Sequence, residues 1–166
     1  MESSHRTHSA DSSDTVSVEI TSFAARAAEI KAIRSQVFHH EQHIDLALDF
    51  DGLDAAAVQV IAYAQGLPLG TARVRRLAKI AKIERVAVLS SHRNQGVGTA
   101  ILQAILALLR QEPPEAVILN AQRASEPFYR RLGFVPQGKV FLEAGIEHIQ
   151  MCWEPGKDDG LKDRET

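Results

Sequence analysis

The segment Val86-Ala87-Val88-Leu89-Ser90-Ser91-His92-Arg93-Asn94-Gln95-Gly96-Val97-Gly98-Thr99 constrains the fold more than any other part of the chain. It opens with an unbroken apolar run, as a buried central strand does, and then crosses polar turn residues. It ends in glycines that lead into Val97, Ile101, Ala104, Ile105 and Leu108 at helical spacing. A strand that feeds straight into an amphipathic helix needs a sheet beside it and a face for the helix to cover, so the class is α/β.

The rest of the chain supplies the other elements. Val16, Val18 and Ile20 alternate with polar residues as in a half-buried strand, and from Ala24 a helix places Ile30, Ile33, Val37 and Phe38 on one face. The acidic stretch Asp45 to Asp54 reads as a loop or short irregular helix. Val58 to Tyr63 and Leu69 to Val74, parted by Gly66 and Pro68, form a hairpin, and Ile83 to Leu89 is the strand before the glycine turn. Pro113 and Pro114 stop the long helix; Val117 to Leu119 is a short buried strand, Ser125 to Leu132 a helix bounded by Gly133, Phe134 to Pro136 the start of a strand, and Ile146 to Trp153 the last strand. This order predicts one α/β domain, a mixed sheet flanked by helices on both faces, with no internal repeat.

The domain is expected over residues 16–154 of the 166, between a polar, serine-rich tail at 1–15 and a charged tail at 155–166, both read as disordered. A length of this order buries a core without disulfides, and Cys152 is the sole cysteine, which favours a reducing, cytoplasmic setting. It is not expected to be a nucleophile, since nothing beside it suggests an activated thiolate. The first residues hold no apolar run of the kind that signal peptides and membrane anchors carry. With a net charge of -2, neither a membrane nor a nucleic acid is an expected partner. The basic run Arg73, Arg75, Arg76, Lys79, Lys82 and Arg85 lacks interleaved aromatics and reads as a solvated face. His39, His40 and His43 lack the spacing of a zinc protease, and no metal is expected.

The chemistry is expected at the glycine turn. The first turn of a helix leaves backbone N–H groups without partners and carries partial positive charge, which suits a phosphate. Gly96 and Gly98 let an anion approach the backbone, and Arg93 adds a full charge. A dinucleotide fingerprint would need a small residue at Ile101, and a P-loop needs a lysine before its Ser or Thr, so neither fits.

Arg93-x-x-Gly96-x-Gly98 after Val86-Ala87-Val88 resembles the acetyl-CoA motif of the GCN5-related N-acetyltransferase (GNAT) superfamily, and Ser125-Glu-Pro-Phe-Tyr-Arg-Arg-Leu-Gly-Phe134 resembles its later helix and turn. Phe38-His-His-Glu-Gln42, Asp51-Gly-Leu-Asp54, Leu119-Asn-Ala-Gln122 and Glu143-Ala-Gly-Ile-Glu-His148 look similar to a bacterial branch of mostly uncharacterised members. The resemblance implies an acyl-CoA-dependent N-acyltransferase that moves an acetyl group from acetyl-CoA to a small-molecule or protein amine by direct attack; relatives are often dimers. It implies that Val86, Ala87 and Val88 meet the pantetheine arm and thioester, and that Arg93, Asn94, Gln95, Gly96, Val97, Gly98 and Thr99 cradle the pyrophosphate. It places Phe128 beside the cofactor and makes Tyr129 the acid that protonates the departing thiolate. A free tyrosine, pKa about 10, holds its proton where a thiol of about 8.5 begins to lose one. Gln122 stands where many relatives have an asparagine, so either it or Asn120 is the expected contact to the cofactor arm.

An alkyl ammonium must lose a proton before it can attack. Glu84 is the first candidate for the base, and Glu41 and His148 are alternatives that are expected to line the acceptor cleft. The acids at 45, 49, 51 and 54 would attract a cationic acceptor or form a solvated loop. A protein that senses acyl-CoA without turning it over is the alternative function, and a nucleotide-binding domain is a further rival.

Overall fold

Period-two burial on one strand explains how the layers are arranged. On β2 (Val58–Ala64), Val60 and Ala62 pack into one apolar cluster and Ile61 into another, so the sheet carries a core on each face. The computed structural model describes residues 15–156, and the expected tails at 1–15 and 155–166 lie almost wholly outside the described residues.

The elements run β1 (Ser17–Ser22), α1 (Phe23–Arg34), a π-helical stretch (Ser35–Glu41), α2 (Leu46–Asp49), β2, β3 (Leu67–Leu77), β4 (Ile80–Val88), α3 (Val97–Gln111), β5 (Ala116–Gln122), α4 (Glu126–Arg131), β6 (Val135–Glu143) and β7 (Ile146–Trp153). Seven strands lie in the order β1-β2-β3-β4-β5-β7-β6, all neighbours antiparallel except β4 and β5. The mixed sheet with helices on both faces is as expected. The helix from Ala24 differs in its last part, where a π-helical turn carries Val37 and Phe38 into the second core beside Ile30 and Ile33. Such turns are rare and are frequent at functional sites.

On the other face α3 buries Val97, Ile101, Leu102, Ile105 and Leu109. Its seat depends on Gly70 of β3, where a Cβ would stand 2.9 Å from Ile101 Cδ1 and 3.0 Å from the Ala87 carbonyl oxygen. The side-chain tip can move, but the carbonyl belongs to the paired strand. Gly70→Ala is therefore expected to cost about 1–3 kcal/mol and lower the melting temperature by roughly 3–10 °C. An unchanged melting curve would mean that α3 is not seated this tightly.

Strand β4 begins at Ile80 rather than at Ile83, joined to β3 by the turn Ala78-Lys79, in which Ala78 takes φ +53° in place of the glycine such a turn favours. This hairpin corrects in part the reading of the basic run as a solvated face: Arg76 and Lys79 are exposed as expected, but the other four are not. Arg73 is fully buried, and Arg75, Lys82 and Arg85 are mostly so. Their partners are the acids of the 45–54 segment and Glu84. Arg73 donates to Asp51, Asp54 and Glu84, Arg34 donates to Asp49 and Asp54, and Arg85 donates to Asp51 and to the Leu48 and Asp49 carbonyls. Asp49 and Asp54 are thus buried counter-ions and Asp51 a more exposed one, all three engaged by arginines rather than left as a solvated loop. Asp45 caps α2, accepting from the Ala47 N–H.

Candidate active site

Strands β4 and β5 pair in parallel over only four residue pairs, from Ile80 with Ala116 to Ile83 with Leu119. Beyond them β4 stays with β3, where Gly70 opposes Val88, while β5 follows β7, where Gln122 opposes His148. A bulge at Arg85, φ +56°, bends β4 where the pairing ends. The parted strands open a cavity of about 810 Å³, within the range of small-molecule sites.

Residues Glu84 to Val88 of β4 line it on one side, Asn120 and Gln122 of β5 on the other, and the first residues of α3 also line it. Gly96 caps α3 at φ +83° with no side-chain cap bond, so the N–H groups of Val97, Gly98 and Thr99 are left for another acceptor. The structure adds a local reason for each glycine. At Gly96 a Cβ would meet open space and the left-handed φ favours glycine; at Gly98 a Cβ would stand 3.2 Å from Phe128 Cζ, so that ring packs closely on the backbone.

Asn94 joins this turn, but Gln95 does not line the cavity and its amide donates back to the Ser91 carbonyl. Arg93 is also engaged: it donates through Nε to the Val88 carbonyl at 3.0 Å and through Nη2 to Glu41 Oε2 at 2.8 Å. Glu41, expected in the acceptor cleft, therefore braces the glycine turn and does not line the cavity. Its neighbour Gln42 does, and it exchanges amide hydrogen bonds with Gln122 at 2.9 and 3.4 Å. Gln122 is thus already satisfied. The Asn120 Oδ1 is buried and has no hydrogen-bond partner. Between the two amides expected to meet a cofactor arm, Asn120 is the one with an open valence.

Tyr129 sits at the cavity with its ring edge-on to Phe128 and Phe134. Burial raises the pKa of its hydroxyl, so it keeps its proton throughout the neutral range. Glu84 is a different case. Burial alone would raise its pKa, but hydrogen bonds from Arg75 and Arg73 prevail and hold it at about 2. A carboxylate that acidic, already bonded to two guanidinium groups, is a weak proton acceptor, so Glu84 is a counter-ion rather than the base.

His148 lines the cavity. Its Nδ1 donates to the Ile146 carbonyl at 2.7 Å, its ring stacks on Phe141, and Nε2 stands 3.6 Å from Glu143 Oε2. Glu143 is a site residue that the sequence reading missed. The signal is the turn Ala144-Gly145, both at positive φ, which pairs Glu143 with Ile146 and brings His148 to the diagonal position on the same face. His39 packs on Phe50 with Nδ1 on the Ile44 carbonyl and Nε2 facing Asp49. Among the described residues, no group of side chains is placed to hold a metal ion.

The family model described as Acetyltransferase (GNAT) domain matches residues 17–155. The chain is a GNAT protein. It is similar to YjcF of Bacillus subtilis, an uncharacterized N-acetyltransferase, at 37% identity over 120 residues, 72% of this chain and 86% of YjcF. The crystal structure of Escherichia coli ElaA matches with a TM-score of 0.76 at 24% identity, covering 84% of this chain and 100% of that one. An acyl-CoA N-acyltransferase from Pseudomonas aeruginosa matches with a TM-score of 0.73 at 28% identity, covering 83% of this chain and 99% of that one. This GNAT protein is accordingly an acyltransferase by fold and family, and the parted strands open its candidate site.

Proposed function

We propose that the protein transfers an acyl group, acetyl first among them, from a CoA thioester to a primary amine by direct attack. The gap between β4 and β5 carries this reading. It leaves the strand edge of residues 84–88 open beside the free N–H groups of α3, with the buried Asn120 Oδ1 across from it. An extended, amide-bearing arm ending in a pyrophosphate matches such a site, with peptide groups for the arm and a helix N-terminus for the phosphates. The similar Pseudomonas aeruginosa structure is that of an acyl-CoA N-acyltransferase. When bound, CoA supplies the activated thioester; the chain binds it, orients it and moves protons.

Tyr129 is the donor to the leaving sulfur, since its raised pKa keeps the proton on the oxygen until a thiolate develops beside it. The test is to incubate acetyl-CoA with a panel of primary amines (spermidine, lysine methyl ester, tyramine and a peptide with a free N-terminus) and to follow CoA thiol release and acetylated product by mass spectrometry. Turnover of at least one amine is expected, and Tyr129→Phe is expected to lower kcat about 100-fold while leaving the acetyl-CoA Kd unchanged. Tight acetyl-CoA binding with no turnover of any amine would favour the sensor instead.

A further inference from the structure

We infer that His148 is the proton acceptor of the transfer and that Glu143 receives the incoming ammonium beside it. The inference rests on the acyl-transfer reading above and concerns the other half of the same cavity.

Three carboxylate residues line the cavity: Asp49, Glu84 and Glu143. Asp49 is buried and held by Arg34 and Arg85, with His39 facing its second oxygen. Glu84 is held by Arg73, Arg75 and Lys82. Among the described residues Glu143 pairs with neither arginine nor lysine; it faces His148, and its side chain is 53% exposed. It is the carboxylate left with charge to offer a cation.

The imidazole beside it is set up to accept a proton. A carbonyl oxygen can only accept, so the 2.7 Å contact to Ile146 requires that Nδ1 carry the hydrogen, which leaves the neutral ring's lone pair on Nε2. Nε2 is the atom that faces Glu143 at 3.6 Å. That spacing is too long for a direct hydrogen bond, but one nitrogen making bonds of ~2.9 Å to both atoms spans it. Phe141 stacks on the ring from β6 and Gln122 opposes His148 on β5; both are neutral, so Glu143 is the charged group that bears on the imidazole. The Gln42–Gln122 amide pair ties this strand to the π-helical segment.

The proton balance closes. His148 Nε2 takes one proton from the ammonium, whose freed lone pair forms the C–N bond to the thioester carbonyl carbon. As the C–S bond breaks, Tyr129 gives its proton to the sulfur and is restored by the second proton leaving the nitrogen. His148 then releases its proton to solvent, with Glu143 stabilising the imidazolium in between. The products are the amide and the CoA thiol.

The experiment measures kcat/KM for an amine turned over in the panel, across pH 6 to 9.5. The wild-type rate should level off within this range, below the amine pKa. His148→Ala should be about 100- to 10,000-fold slower at pH 7, with a rate that climbs about tenfold per pH unit toward the amine pKa near 10.4, so that the deficit shrinks as solvent takes over the deprotonation. A constant deficit at every pH overturns the assignment, as does a His148→Ala rate within about threefold of wild type. Glu143→Gln, at an exposed position where folding is not at stake, should raise KM for cationic amines about tenfold with a smaller effect on kcat; unchanged KM removes Glu143 from the inference. If acetyl-CoA binds and no amine reacts, the amine-acceptor reading falls and this inference with it; turnover with the wrong pH profile overturns this inference alone.

Discussion

Thr99→Glu is expected to weaken acetyl-CoA binding by about 100-fold or more while the protein stays folded. Thr99 is the third residue of α3, half-buried at the rim of the cavity, where its N–H is among those without a helical partner. A carboxylate in the first turn of a helix is favourable to the helix itself by about 0.3–1 kcal/mol. The same charge beside a pyrophosphate is repelled by about 4 kcal/mol for one pair of unit charges 4 Å apart at an effective dielectric of 20, and half of that is already about 30-fold in Kd. Stability and affinity therefore move in opposite directions, which a loss of fold cannot imitate. This position serves better than the neighbouring glycines, since any side chain at Gly96 meets its φ of +83° and any at Gly98 meets Phe128. Calorimetric titration with acetyl-CoA, paired with a melting curve, reads both effects. Affinity equal to that of the wild-type protein would mean that no pyrophosphate sits at this helix end.

The second large effect is on stability. Arg73→Met is expected to cost about 3–5 kcal/mol, because it removes the cation shared by Asp51, Asp54 and Glu84 and leaves those charges partly uncompensated in the interior. Urea unfolding should show it as a lower midpoint, and a loss under about 1 kcal/mol would overturn the account of the network. The network also sets the acid limit of the fold. Glu84 is held at about 2, against an ordinary 4.5, and hydrogen bonds from Arg73 lead the causes that lower Asp51. Between those two pH values the unfolded chain binds more protons than the folded one, so stability is fully present above about 4.5 and falls as the pH drops toward 2. For Glu84 alone the loss is on the order of 3 kcal/mol. Arg73→Met should flatten that slope as well as lower the plateau.

These charges mark the limit of what could be read from the chain. The strand, glycine turn and helix from Val86 to Leu108 were legible because apolar period and turn residues are local signals. The closing strand from Ile146 to Trp153 was legible to the residue for the same reason. The hairpin at Ala78-Lys79 was hidden because no glycine or proline marks it, and the true start of β4 at Ile80 went with it. The burial of Arg73 was hidden for a deeper reason: it depends on Asp51 and Asp54 arriving from a segment about twenty residues away, which no window of sequence displays. β5 extends past Leu119 to Gln122 although Asn120 and Gln122 interrupt its apolar run, because those amides face the cavity rather than the core. Glu84 and Glu41 were plausible bases by position, and only their arginine partners reassign them.

The early parting of β4 from β5 also divides the labour of the site in a way that bears on how it can be altered. On the side proposed for the acyl donor the chain offers largely peptide groups: an open strand edge and a helix end that many side chains would leave intact. On the side proposed for the acceptor the chain offers instead a few side chains, Gln42, Gln122, Glu143 and His148, carried by the end of the π-helical stretch, β5 and the β6–β7 hairpin. On the proposed reading, exchanging residues at the tip of the β6–β7 hairpin or at the end of the π-helical stretch should retune acceptor choice without rebuilding the means of holding the acyl donor. The four-pair seam is the part of the molecule to leave untouched in any such redesign, and the hairpin tip is the place to begin.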